Sequence, residues 1–504
     1  MEPFDEVGLF WRPNDPTNVR PGRLTFQHGA SGMHLTLLNP FENLPMFMAA
    51  VATSHPGYEV IFGVLQNDDV VTLTNSVVDG GNVRFGGAGT SRVDLIPRYI
   101  FRGAHLPLGE AAEFNKIEIR FEHLDAWAFP GEDLVNRVLD TGDLVVSNND
   151  PADVVANAFD GKVTISYLTK QTTGASEAHF ERSASIALEP DEAKTLSSLV
   201  SSFSVPVQQF LTFACGAPTK LLSMQVESEG VGQQLGEHWR PTAIDVGYRG
   251  WPSPSGSDAP VQMRMPLIKI RDQFEHVIRA WQLLQAEQQR SMTLLFAISL
   301  GIDLYLDNQF LFAVQANELF HRKRWPEGVL PREQHQNRVN GILDGVGDEE
   351  MKEWLKGKLA FSNEPTLKER LAKMVEFAGA EIQTVIRGDF VKVAGDTRNF
   401  LTHFNPDLEP KTAKGEDLWI LSKECIALLE FCILRALGLD GATSLQLSAA
   451  TPTFQLLMQR SGAMQPPIQV IVKSANQADE TTVEETTGND TEPLDDGGPS
   501  SGAT

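Results

Sequence analysis

The hydrophobic period of this chain changes at a breaker-rich stretch, Arg249-Gly250-Trp251-Pro252-Ser253-Pro254-Ser255-Gly256-Ser257-Asp258-Ala259-Pro260. Before it, short β-branched and aliphatic runs recur between Gly, Pro, Asn and Asp punctuation, and several alternate with period two. After it, apolar residues return every three or four positions. A period of two and a period of 3.6 cannot serve one layer, so the chain reads as α+β and multidomain. The boundaries are a β-rich module over 1–248, a linker over 249–260, a helical bundle over 261–440 and an extension over 441–504.

In the first module the predicted strands are 33–38, 58–65, 70–74, 115–121, 162–168 and 208–214. Asn115-Lys116-Ile117-Glu118-Ile119-Arg120-Phe121 alternates cleanly, so one face meets a core and the other water. A sandwich or barrel-like module follows from this pattern. In the bundle, Leu267, Ile270, Phe274, Val277, Ile278, Trp281, Leu283 and Leu284 form a broad apolar stripe on a helix starting after Pro266. Further helices are predicted at 308–323, 366–386, 389–404 and 416–437, with Gly438 as the stop of the last. Short connections between them give an up-and-down bundle. Beyond 441 long helical periodicity is lost, a strand is conceivable at 468–472, and the Thr/Gly/Asp-rich stretch from 474 is predicted to be disordered.

Charge and cysteine content bound the function. A net charge of −24 argues against a general nucleic-acid binder, which would carry a broad basic footprint. Eight of those charges lie in the acidic tail after Lys473. A local positive cluster remains at His321-Arg322-Lys323-Arg324, where Lys323 and Arg324 are weak candidates for RNA contact. A solvated helix end that favours cations explains the same residues equally well. Cys215, Cys425 and Cys432 sit in apolar contexts and form no disulfide framework or zinc pattern, which points to a reducing compartment, the cytoplasm. The acidic start Met1-Glu2-Pro3-Phe4-Asp5-Glu6 is unlike a signal peptide, and 292–302 and 420–439 are too short or too charged to span a bilayer. No metal-ligand spacing, phosphate-cradling loop or nucleophile elbow appears, so no metal and no cofactor is expected.

The chemistry-bearing stretch is Asp396-Thr397-Arg398-Asn399-Phe400-Leu401-Thr402-His403-Phe404-Asn405-Pro406. It closes an amphipathic helix with Phe390, Val393, Ala394, Thr397 and Leu401 on the apolar side. Asn399 and His403 share a face, while Arg398 and His403 leave the helix about 140° apart. A guanidinium clamps phosphate oxygens and an imidazole moves protons near neutral pH. RNA brings its own nucleophile in the 2′-OH, so these two groups suffice for cleavage without a metal. The spacing recurs twice elsewhere in the chain: Arg23–His28 reads as a strand that sends the two side chains to opposite faces, and Arg271–His276 lies on a helix as a decoy.

Arg398-Asn399-x3-His403, between an amphipathic helix and a final long helix, resembles the Arg-polar-x3-His signature of HEPN-domain ribonucleases. The surroundings resemble the ApeA-like branch: Phe310 through Arg322 its early helix, Phe361 through Leu371 its middle one. Gly8-Leu9-Phe10-Trp11-Arg12-Pro13 with Pro21-Gly22-Arg23-Leu24-Thr25-Phe26 resembles the β-rich region preceding HEPN in such proteins. The resemblance implies a metal-independent endoribonuclease of bacterial antiphage (abortive infection) defence. Its products would end in 2′,3′-cyclic phosphate and 5′-OH. It also implies a host RNA substrate (a transfer RNA among the candidates), a phage-derived trigger and a homodimer or higher even assembly. His403 would then move the proton, Arg398 hold the phosphate, and Asn399 orient His403 or bind a phosphate oxygen. Glu318, His321 and Arg322 are supporting candidates, although Glu318 and Arg322 at i, i+4 also suit a simple helix ion pair. The rival expectation is a non-catalytic interaction protein, with a bundle that only dimerises and a β module that binds a partner.

Overall fold

The computed structural model describes residues 1–462 except 28–31, 43–46, 48–56, 83–90, 130–133, 139–143, 149–150, 175–177, 249–261 and 300–303. The linker, His28, the 468–472 segment and the acidic tail therefore lie outside the described residues.

Six antiparallel strands close into a barrel: β1 (Phe4–Arg12), β2 (Asp15–Phe26), β3 (Met33–Leu38), β4 (Gly57–Leu65), β5 (Val70–Asn82) and β6 (Arg92–Ile96). Closure depends on the long β5, which pairs with β4 along one edge and with β6 through its later residues. Alternation fills the interior with Phe10, Leu24, Leu35, Leu37, Ile61, Leu73, Val93 and Leu95, all fully buried. Gly63 leaves room for the Phe10 ring, since a Cβ there would lie 2.6 Å from it.

The earlier residues of β5 also pair with β7 (Tyr99–Arg102), so the barrel runs into an open extension. That extension continues through Ile244–Tyr248, Leu221–Glu227, Lys116–Phe121, Ala178–Pro190 and Gly161–Thr173 to Val154–Asn157. The strand over 116–121 buries Ile117, Ile119 and Phe121, as its alternation requires. The β-rich module followed by a helical bundle is thus the architecture read from the pattern.

One predicted strand is a helix. Residues 208–214 lie within α1 (Val205–Cys215), which starts with Pro206 in its first turn and ends on Gly216 at φ +71°. Proline inside the start and glycine past the end are helix signals, and they outweigh an apolar run that period alone leaves ambiguous. The helix matters because Phe210 and Phe213 pack against Trp281, at ring centroid distances of 5.5 and 5.7 Å. Trp281 belongs to α2 (Phe274–Ser299) of the bundle, so one core runs from the extended sheet into the helices. Leu283 departs from its predicted stripe and is 72% exposed.

The bundle is built on α3 (Leu306–Arg324), α4 (Leu367–Ala378), α5 (Phe390–His403) and α6 (Glu416–Ala436). The span predicted as one helix over 366–386 breaks at Gly379, whose φ is +107°. A helical hairpin, Arg332–Asp344 and Glu349–Leu359, enters between α3 and α4 and buries none of its residues. The extension beyond 441 is also more helical than expected, with Gly441–Ser448 and Pro452–Ser461. Among the described residues, no helix is long and apolar enough to cross a membrane.

Gly438 lies just beyond α6 with φ +92°, and a Cβ there would lie 2.6 Å from Nε2 of His276. Gly438→Ala therefore combines left-handed backbone strain with a clash and is expected to cost about 1–3 kcal/mol. A urea midpoint equal to that of the parent would refute this.

Candidate active site

Helix α5 is held by its buried side. Phe390, Ala394 and Thr397 are buried, and Val393 and Leu401 partly so. Thr397 Oγ1 accepts the Ala413 N–H at 3.0 Å, which ties the helix to the segment leading into α6. Asp396 is bonded by Lys368 Nζ of α4 at 2.7 Å. Gly395 lets the Lys368 stem cross, because a Cβ would meet it at 2.7 Å. Ahead of α5, Arg387 donates from its backbone and from Nε to Glu424 of α6, at 2.9 and 2.7 Å. Residue 404 is left-handed (φ +52°) and ends the helix at His403, and Asn405 is extended ahead of Pro406.

The predicted site residues fall in two groups. Arg398 is 31% exposed and turns toward α3, where Nη2 lies 3.7 Å from Glu318 Oε2. Its Nη1 donates to Asn399 Oδ1 at 3.3 Å. Glu318 also accepts from Arg322 Nη2 at 3.1 Å, the i, i+4 helix pair, so one carboxylate faces both guanidinium groups. His403 stands exposed in the last turn of α5, and its imidazole has no hydrogen-bond partner among the described residues. Asn399 is engaged with Arg398 rather than with His403.

His321 points the other way. It is buried at 4% exposure, its ring tilted against Trp325 at a centroid distance of 5.2 Å, and Arg370 Nη1 reaches its Nδ1 at 3.4 Å. A guanidinium only donates, so Nδ1 must be the acceptor and the proton sits on Nε2. Burial, then the charges of Arg370 and Arg322, push its pKa down to about 4. Arg324 lies over the Phe377 ring at 4.7 Å, while Lys323 is exposed. Two residues that sequence reasoning passed over complete the network. Glu364 pairs with Arg322 at 2.9 Å and with Arg370 at 3.2 Å. Arg370 is nearly fully buried, and nothing in the local pattern sets it apart from a surface arginine of an amphipathic helix.

The depressed value at His321 has a sign that can be worked out. Unfolded, the imidazole returns to 6.5, so between 6.5 and about 4 the unfolded chain takes up a proton that the folded chain refuses. The stabilising contribution is full above that window and is lost as pH falls through it. Urea midpoints across the window should fall less steeply for His321→Gln than for the parent, and parallel curves would count against the assignment.

A barrel-led β module joined to a helical bundle, with an Arg-Asn-x3-His helix end beside an acidic residue of a neighbouring helix, defines a HEPN-type multidomain protein. Residues 5–281 match the family model of the ApeA N-terminal domain 1, and residues 311–442 match that of the Apea-like HEPN domain. The first match alone covers more than half of the chain, and the chain belongs to the ApeA family. HEPN domains are in general nucleases that act on RNA, and the ApeA group is an antiphage one. No curated protein and no solved structure matches the chain.

Proposed function

We propose that this protein is a metal-independent endoribonuclease of antiphage defence, with Arg398 and His403 as its catalytic residues. The observation that carries this reading is the contrast at the end of α5: Arg398 is steered by Glu318 and Asn399, whereas His403 is exposed and unengaged among the described residues. A phosphate would meet a positioned guanidinium and an imidazole able to take the 2′-OH proton or give one to the leaving 5′-oxygen. Attack by the 2′-oxygen on phosphorus forms the cyclic ester and breaks the bond to the 5′-oxygen. Arg398 stabilises the charge that develops on the phosphoryl oxygens. Glu318 acts as a positioning residue for Arg398, and Arg322 and Glu364 fix Glu318 in turn.

The two catalytic side chains leave α5 in directions about 140° apart, which supports a homodimer in which copies of this helix end face one phosphate. Host RNA, transfer RNA among it, is the proposed substrate, and a phage-derived signal the proposed trigger. The experiment is sequencing of RNA ends after induced expression, which reads activity, chemistry and target together. New ends bearing 5′-phosphate, or no new ends beside those of His403→Ala, would remove the proposal.

A further inference from the structure

Along α2 the helix breaks its own geometry at Gln288, which has φ −108° and ψ 21° inside an otherwise helical span. Two clefts open there and share Ala286 and Gln289. One, of about 680 Å³, is lined by Gln288, Arg290, Leu319, Arg322 and Lys323, with Glu287 as its only carboxylate among the described residues. The other, of about 370 Å³, is lined by Ser201, Ser202, Gln282, Gln285 and Thr293 among others, and carries no ionisable side chain among the described residues. A cationic cleft thus adjoins a neutral cleft of amides and hydroxyls.

We infer that this double groove seats single-stranded RNA, with phosphates on Arg290, Arg322 and Lys323 and a base in the neutral cleft. The inference rests on the ribonuclease reading and names where its substrate lies. Arg290 and Lys323 are exposed and form no ion pair among the described residues. Arg322 shares Glu318 with Arg398, so the cationic cleft leads to the catalytic arginine. Two amide side chains, one in each cleft, add uncharged hydrogen-bonding groups. Gln288 is 1% exposed, and its Nε2 donates to Phe320 O at 3.3 Å and Glu287 Oε1 at 3.1 Å, which fixes the amide orientation. Its Oε1 is left without a donor, and Gln285 Nε2 without an acceptor, among the described residues. The unpaired donor, Gln285 Nε2, lines the neutral cleft and suits an acceptor on a nucleobase edge, and the unpaired acceptor, Gln288 Oε1, lines the cationic cleft and suits a ribose 2′-OH beside the phosphates. An acidic peptide would find the cations but no use for the neutral cleft.

The test uses the full chain carrying His403→Ala, so that RNA is bound and not cut, with a short labelled single-stranded RNA as the probe. Arg290→Glu with Lys323→Glu should weaken binding by roughly tenfold or more and flatten the salt dependence by about 0.7 per lost phosphate contact. Lys170→Glu, the same kind of charge reversal at a single exposed strand residue, should leave affinity in place. Gln285→Leu should weaken binding without changing the salt slope. In the uncrippled chain the double reversal should raise KM and leave kcat unchanged. Affinity equal to that of Lys170→Glu overturns the inference, as does displacement of RNA by polyglutamate together with an unaltered Gln285→Leu variant. Binding that depends on these residues in a chain that cuts nothing would sink the ribonuclease reading alone. Cleavage that ignores the reversals would sink this groove alone.

Discussion

His403→Ala should abolish RNA cleavage and the growth defect on expression, with a loss of 10²–10⁴-fold or more if the imidazole is the general acid or base. Arg398→Ala should fall at least as far, because it removes the phosphate clamp itself. Neither change should cost much stability: His403 is exposed and unengaged among the described residues, and Arg398 is held by a long contact to a carboxylate that Arg322 also satisfies and by a 3.3 Å hydrogen bond to its neighbour Asn399. Urea midpoints close to the parent's would therefore separate lost chemistry from lost folding. His276→Ala, at the decoy on α2, should retain full cleavage, since His276 lies against Gly438 and Arg271 donates to Ala152 O. A dead decoy variant beside an active His403→Ala would move the catalytic centre to α2. Glu318→Gln should give an intermediate loss of kcat, because the side chain still reaches Arg398 but no longer opposes its charge.

The residues show which parts of this molecule are legible without coordinates. Period and punctuation located α3, α5 and α6 to within a few residues, since each carries a long apolar stripe and a clear stop. They could not tell the short run over 208–214 from a strand, because seven apolar-rich residues fit either period. The hairpin at Arg332–Asp344 and Glu349–Leu359 was invisible for the opposite reason, as helices that bury nothing carry no stripe to read. At the site, spacing on one helix placed Arg398, Asn399 and His403, and the i, i+4 rule paired Glu318 with Arg322. The bonds that join helices, Glu318 to Arg398 and Glu364 to both Arg322 and Arg370, depend on packing between distant segments, which no local pattern encodes. The burial of His321 belongs to the same class.

The largest effect on stability is expected at a pair far from the catalytic helix. Arg264 and Glu430 form an ion pair at 2.6 Å, with side chains 3% and 10% exposed. Arg264 also donates to Phe213 O at 2.7 Å and lies 4.3 Å over the Phe213 ring, so one guanidinium ties α1 of the β module to α6 of the bundle. Glu430→Ala would leave that cation buried with a single carbonyl and a ring face, and should lower stability by about 3–5 kcal/mol. Arg264→Met should cost a similar amount by stranding the carboxylate. The double variant Arg264→Met with Glu430→Leu is the decisive sample. Replacing both charges by apolar groups of similar size removes the desolvation cost together with the attraction, so it should recover most of the loss and come within about 1 kcal/mol of the parent. Urea denaturation of the four proteins at neutral pH reads this directly. Single variants that each lose less than about 1 kcal/mol would mean that water reaches the pair, and a double variant as weak as the singles would mean that the loss comes from packing on Phe213 rather than from charge.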